Sequence, residues 1–305
     1  MPSIPSRSLQ RPRTARLDGW AGALAGPLAI VVSVALLLTG CATGFFYNRL
    51  DTLASWYFED LVSLTDDQRH ELRDWLERTL TWHRHSELHG YAQFVRDISD
   101  EVATPGTRAA YEKQRGRFDG FVKSLVDKTT PEAARLLLSL SSQQTDEMLA
   151  SLADKSRKRR EKNIKLVAED KWQTEQQEDI QAQLKRWTGS VTDRQKQIVA
   201  RGVAELEPTY RDWAASQEQW RSALRTALAG NHAEAETQQR VQSLLSDPDR
   251  QWTQGYAQKI ARNRDRYLNM LASLDASLSP AQRTRLRDEL QKLAGQIDKL
   301  AEGKE

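Results

Sequence analysis

Residues 64–80 read Leu64-Thr65-Asp66-Asp67-Gln68-Arg69-His70-Glu71-Leu72-Arg73-Asp74-Trp75-Leu76-Glu77-Arg78-Thr79-Leu80. Thr65 can cap the free amides of a new helix while Gln68, at the third helical position, reaches back to the cap's own amide. Asp66 and Asp67 then sit at the positive end of the helix dipole. Leu72, Trp75, Leu76 and Leu80 recur at three and four, the period of an amphipathic helix. Leu286, Leu290, Leu293, Ile297 and Leu300 repeat that period near the other end. No stretch after residue 41 shows sustained alternation or a β-branched run between turn residues. The expected fold is all-α, an elongated multi-helix bundle.

Working outward, the aliphatic–hydroxyl–x–x–Gln pattern returns at Leu140-Ser141-x-x-Gln144, Val191-Thr192-x-x-Gln195 and Leu278-Ser279-x-x-Gln282. The spacings are irregular, which excludes a solenoid and leaves four helix starts sharing one capping box. Helices are expected at about 43–61 and 65–85, resuming over 91–102 with Gly90 as a bend. Thr104-Pro105-Gly106 breaks the chain. A helix over 107–127 follows, then one from Pro131, behind Thr130 as cap, with no strong breaker before Trp187. At 1.5 Å per residue, an unbroken 131–187 helix would extend about 85 Å. Its polar middle suggests a long charged arm of coiled-coil type. Later helices are expected at about 193–206, 209–229, 233–246, 249–275 and 280–302.

Toward the N-terminus the reading changes. Arg7, Arg11, Arg13 and Arg16 precede an apolar core at Leu28–Leu38 that is interrupted only by Ser33. A bilayer-spanning helix needs about 20 apolar residues, so this run suits a signal-peptide core instead. It ends on Leu38-Thr39-Gly40-Cys41, which contains the chain's single cysteine. That tetrapeptide resembles the lipobox of bacterial lipoproteins. The resemblance implies cleavage before Cys41, acylation of its thiol, palmitate included, and, with Ala42 following, sorting to the outer membrane. The organisation expected is a signal peptide over 1–40, a lipidated N-terminus and first short helix over 41–62, and a helical domain over 63–302.

Four of the 45 basic residues and one of the 42 acidic residues lie before Cys41, so the 265 residues left are formally neutral. That balance argues against nucleic acid as a partner. With its one thiol acylated, such a chain has none left for disulfides or thiolate metal sites.

A wider likeness rests on Tyr47-Asn48-x-x-Asp51, Leu64-Thr65-x-x-Gln68-Arg69, Trp82-His83-Arg84 and Glu87-Leu88-x-x-Tyr91. Glu161-Lys162-Asn163, Trp187, Trp220, Trp252 and Asn263-Arg264 continue it. With these the chain resembles a family of Gram-negative outer-membrane lipoproteins of unknown function, which implies a helical, lipid-anchored protein with no assigned activity. Leu64-Thr65-x-x-Gln68 is also similar to the motif of periplasmic Leu-Thr-x-x-Gln proteins, among them an ATP-independent holdase and a stress sensor.

His83, His85 and His89 lie close in sequence, but on a helix only two imidazoles share a face, and zinc usually needs three or four ligands. No metal and no cofactor is expected. Lys158, Arg159 and Arg160 belong to the strongest basic run, and Trp172 stands among polar neighbours, so these four are the candidate interaction residues. Phosphate loops, dinucleotide fingerprints and nucleophile elbows are missing from the sequence, and no catalytic residue is singled out. The function expected is a non-enzymatic, lipid-anchored scaffold or interaction module on the periplasmic face of the outer membrane. It would be tethered through its N-terminal lipid and would meet an envelope protein partner. The alternative is a periplasmic holdase or envelope-stress binding protein.

Overall fold

The structure, a computed structural model, describes residues 47–169, 171–229 and 233–303. The expected signal peptide, lipobox and Cys41 lie outside them. The described residues form eleven α-helices and no strand: α1 (Leu50–Glu59), α2 (Asp66–Ser86), α3 (Leu88–Glu101), α4 (Arg108–Leu138), α5 (Ser142–Ala168), α6 (Trp172–Thr188), α7 (Asp193–Ala204), α8 (Tyr210–Ala229), α9 (Glu234–Ser246), α10 (Gln254–Ala276) and α11 (Pro280–Ala301). A 3-10 turn, Pro248–Gln251, precedes α10. The all-α, multi-helix class read from the sequence is the class observed.

All four capping boxes form. Thr65, Ser141, Thr192 and Ser279 each accept from the backbone amide of their glutamine at 3.2–3.3 Å. Each glutamine side chain returns to the cap's own amide at 2.9–3.0 Å.

The glutamines then do something that local pattern could not reveal, because the boxes pair. Gln68 Nε2 donates to Ser139 O at 2.9 Å and to Gln144 Oε1 at 3.2 Å. Gln144 Nε2 donates back to Gln68 Oε1 at 2.7 Å and to Ser63 O at 2.8 Å. The third and fourth boxes repeat the arrangement. Gln195 Nε2 reaches Gln282 Oε1 at 3.0 Å, and Gln282 Nε2 reaches Gln195 Oε1 at 3.1 Å and Ser190 O at 3.0 Å. Each clasp ties two helix starts head to head and satisfies a carbonyl just before the opposite cap.

Gln195 is fully buried in its clasp. Gln195→Ala is expected to cost about 2 kcal/mol, because it leaves the Thr192 amide and one side-chain N–H of Gln282 without their acceptor inside the protein. The same change combined with Gln282→Ala should cost less than the sum of the two single changes, as a double-mutant cycle read by urea unfolding would show. Additive costs would mean that the clasp is not a unit.

The expected single helix over 131–187 is not formed. Ser141 starts a fresh helix because its box is engaged by the Gln68 clasp, so α4 stops at Leu138. A second break falls before Trp172, where the Lys171 amide turns back to Leu166 O at 2.8 Å. Nor is α5 a free-standing arm. Ser156 is buried, and Met148 and Leu149 enter the core alongside Leu224 and Ala227 of α8.

Pro131 lies inside α4, and Thr130 is no cap. A proline in a helix interior costs about 3 kcal/mol. Here Leu125, Thr129, Thr130 and Ala134 are buried on one continuous face, and that packing carries the helix through. Gly90 likewise lies within α3, and the bend falls at Glu87 instead.

Three apolar clusters hold the helices. The first gathers Leu61, Val62 and Leu64 with Leu72 and Trp75 of α2, Ala134 of α4, Met148 and Leu149 of α5, Leu224 of α8 and Val241 of α9. The second joins Leu88, Ala92 and Val95 of α3 to Leu293, Ala294, Ile297 and Leu300 of α11. The third sets Val199 and Val203 of α7 against Met270 and Leu274 of α10, with Trp172 and Leu184 of α6 beside them. In that third cluster a Cβ placed on Gly202 would meet Met270 Sδ at 2.5 Å and Cγ at 2.8 Å. Gly202→Ala is therefore expected to lower stability by about 1–2 kcal/mol, read as a lower urea midpoint at unchanged slope, since the Met270 side chain must shift within a filled cluster.

A buried carboxylate ties the link between α3 and α4 to the turn between α10 and α11. Asp275, at the end of α10, accepts from the Gly106 amide at 2.6 Å, the Tyr111 hydroxyl at 2.6 Å and Arg283 Nη1 at 2.7 Å. Arg283 also donates to Val102 O at 3.0 Å and to the Asp275 backbone carbonyl at 2.5 Å.

Candidate functional site

Two places gather side chains that the apolar cores do not explain. The first is a polar knot built by the N-terminal motif residues. Ahead of α1, Tyr47 is buried with its hydroxyl 2.9 Å from Nδ1 of His83 on α2. The Arg84 guanidinium stands over the Tyr47 ring at 5.5 Å and donates to Asn48 Oδ1 at 2.7 Å. Tyr91 of α3 meets the imidazole edge-on, with centroids 5.4 Å apart, and Phe121 of α4 closes the stack at 4.7 Å. Glu87, at the α2–α3 corner, accepts from the Ser124 hydroxyl at 2.9 Å. Tyr47-Asn48, His83-Arg84 and Glu87-x-x-x-Tyr91 thus converge.

Burial sets the chemistry of this knot. It lowers the His83 pKa from 6.5 to about 4, so the ring is neutral at pH 7. Burial also raises the Tyr47 and Tyr91 hydroxyls well above the ordinary tyrosine range. The Tyr47 hydroxyl and Nδ1 of this neutral ring form the hydrogen bond at the centre of the knot. Among the described residues the Tyr91 hydroxyl and Arg84 Nε are buried and find no hydrogen-bond partner. A neutral imidazole and protonated phenols, all inward-facing, suit the locking of three helices. His85 is exposed and His89 faces Asp298 at 3.9 Å, so the three histidines do not converge. Among the described residues no group of three or more His, Cys, Asp or Glu is arranged to hold a metal.

The second place is an open cleft between α5, α6, α8 and α10, enclosing about 850 Å³ of space continuous with solvent. Two of the four expected interaction residues come together here. Arg159 lies on the cleft wall with its guanidinium 4.6 Å from the Trp213 ring centre. Trp172 opens α6 and is half-buried against the α7–α10 cluster, which corrects the expectation of an exposed residue on a projecting arm. Lys158 and Arg160 point away from the cleft and are exposed. Lys158 pairs with Asp154 at 2.7 Å. Much of the basic run is answered by nearby acids, as with Lys155 and Asp60 at 2.5 Å and Arg157 with Glu161 at 3.1 Å.

Sequence reasoning missed Glu207, Tyr210 and Tyr267 in this cleft. Arg262 Nε and Arg266 Nη1 both reach Glu207 Oε1 at 2.7 Å, and hydrogen bonds from the two guanidinia hold its carboxyl down at about 2. Asn263 pairs with the Glu207 backbone in both directions, at 2.9 and 2.8 Å. Glu207 is thus a permanent anion that fixes the α7–α8 link, and no proton transfer at neutral pH falls to it. The signal that could have found it was Pro208, which forces the preceding residue out of the helix and into the cleft wall. Trp172, Tyr210, Trp213 and Asn163 supply polar atoms that bond to no described residue. Aromatic rings with polar tips suit an interface that is part apolar and part wet.

Among the described residues, eleven packed helices, a cleft with paired charges and a neutral inward-facing knot define an all-helical protein. Residues 60–257 match a family of unknown function, DUF6279, and the chain belongs to that family. No curated protein and no solved structure matches the chain. No helix among the described residues is long and apolar enough to cross a membrane.

Proposed function

We propose that this protein is a lipid-anchored envelope lipoprotein, acylated at Cys41 and held on the periplasmic face of the outer membrane, where it acts as a non-catalytic scaffold or interaction module. The observation that carries the reading is Leu38-Thr39-Gly40-Cys41 closing a short apolar run behind four arginines. Each buried acyl methylene contributes roughly 0.8 kcal/mol, so two or more chains on one residue anchor stably. The cleft beneath Trp213 and Arg159 supports an interaction role, since it offers aromatic surface and free polar tips to an envelope protein partner. The holdase alternative calls for a broad apolar surface; the large apolar side chains exposed among the described residues are Leu53, Trp56 and Leu271.

Labelling cells with radioactive palmitate tests the anchor. The wild-type chain is expected to carry label and to accumulate as precursor under globomycin, while Cys41→Ser carries none. An unlabelled wild-type chain would remove the anchoring step. Crosslinking in cells, followed by capture of the acylated protein, then identifies the partner. Trp213→Ala with Asn163→Ala is expected to reduce its yield.

A further inference from the structure

The outer face of α1 has no cover within the described protein. The inner face is fixed: Ser55 is buried, Tyr57 and Phe58 pack on the first apolar cluster, and Phe58 meets Trp75 edge-on at 6.3 Å. On the opposite side Leu53 is 38% exposed and Trp56 63% exposed. They are one helical turn apart and share a strip about 100° wide with Arg49 and Thr52, which are also exposed. Two of the three large apolar residues exposed among the described residues thus fall on one turn of one helix; the third, Leu271, stands alone on α10.

The position of this strip in the chain says what it meets. Only Ala42, Thr43, Gly44, Phe45 and Phe46 separate Cys41 from Tyr47, and none is charged. Six residue steps span at most about 20 Å, so a bilayer holding the Cys41 acyl chains lies close to the start of α1. Tryptophan is enriched at membrane interfaces because its ring is apolar and its N–H remains hydrated. Tethering raises the local concentration of the face at the bilayer, so a contact too weak to recruit a free protein suffices once the anchor is in place.

We propose that the outer face of α1 is a membrane-seating surface: with Cys41 acylated, Leu53 and Trp56 enter the headgroup layer of the same leaflet and hold the helical body in one orientation. This rests on the lipid anchoring proposed above. The consequence is that the cleft faces a set direction instead of swinging on its tether.

The acylated sulfur of Cys41 leaves an introduced cysteine as the sole free thiol. Thr52→Cys on the seating face and Lys292→Cys on α11 can therefore each carry a nitroxide in the full acylated protein, reconstituted in phosphatidylethanolamine–phosphatidylglycerol vesicles. The label at 52 is expected to collide with oxygen over a water-soluble nickel chelate at a several-fold higher ratio than the label at 292. Adding Leu53→Asp and Trp56→Asp should bring the two ratios together without altering the helical circular dichroism. Vesicle-bound protein with equal ratios at both positions overturns the seating, including the case where sedimentation shows the face buried between two copies. Protein that carries no acyl chain and fails to float with the vesicles overturns the anchor itself.

Discussion

Asp275→Ala is expected to lower the unfolding free energy by about 3–5 kcal/mol, the usual cost of leaving one charge of a buried pair without its partner. The carboxylate and Arg283 are both nearly buried, at 10% and 12% side-chain exposure. Removing the acid takes the counter-charge from the Arg283 guanidinium, which keeps only backbone acceptors, and strands the Tyr111 hydroxyl and the Gly106 amide. Asp275→Asn keeps an acceptor and the shape but not the charge, so it should recover roughly half of the loss. Urea unfolding followed by circular dichroism measures both. An alanine variant within about 1 kcal/mol of the parent would show that the tie holds nothing the three clusters do not already hold.

The second large effect is a loss of stability in mild acid that traces to His83. Its folded pKa is depressed to about 4, whereas the unfolded ring titrates near 6.5. Below 6.5 the unfolded chain takes up a proton that the folded chain refuses, so stability falls as pH drops. The loss is complete near pH 4 and amounts to about 3 kcal/mol for a shift of this size. Arg84, directly against Tyr47, adds a positive neighbour to the same knot, and Glu87 is the nearest acid facing Tyr91. Carboxylates elsewhere titrate over part of this range, so the informative quantity is the difference between the parent and His83→Gln. That difference is expected to shrink steadily between pH 6.5 and 4. A difference independent of pH would place the charge change elsewhere.

The sequence made the helices legible wherever a cap announced them. Thr65, Thr192 and Ser279 each start a helix at the expected residue, and helix ends from residue 193 onward fall close to the expected positions. The failures have one origin. The pull of Pro131 toward a helix start is local, and it lost to a buried face running from Leu125 to Ala134. Ser141 carried a start signal that the charged stretch after it obscured, and only the clasp of its box partner Gln144 with Gln68, 76 residues away, shows why the break must be there.

The candidate sites divide the same way. Arg159 was visible as part of a basic run and Trp172 as an isolated indole, but their meeting at one cleft depends on α8 and α10. The motif residues Tyr47, His83, Arg84 and Tyr91 stood out as a pattern, while their gathering into one buried knot was invisible because each contact bridges separate helices.

The pairing of α3 with α11 carries a consequence for the order in which the chain folds. Most of the cover over the apolar stripe of Leu88, Ala92 and Val95 comes from Leu293, Ala294, Ile297 and Leu300, which are about 200 residues later in the chain. Contacts of such sequence separation form slowly and cannot precede synthesis of their partner. A chain that emerges N-terminus first displays that stripe until α11 has followed it. A nonsense codon anywhere before α11 should then leave the whole N-terminal third prone to proteolysis.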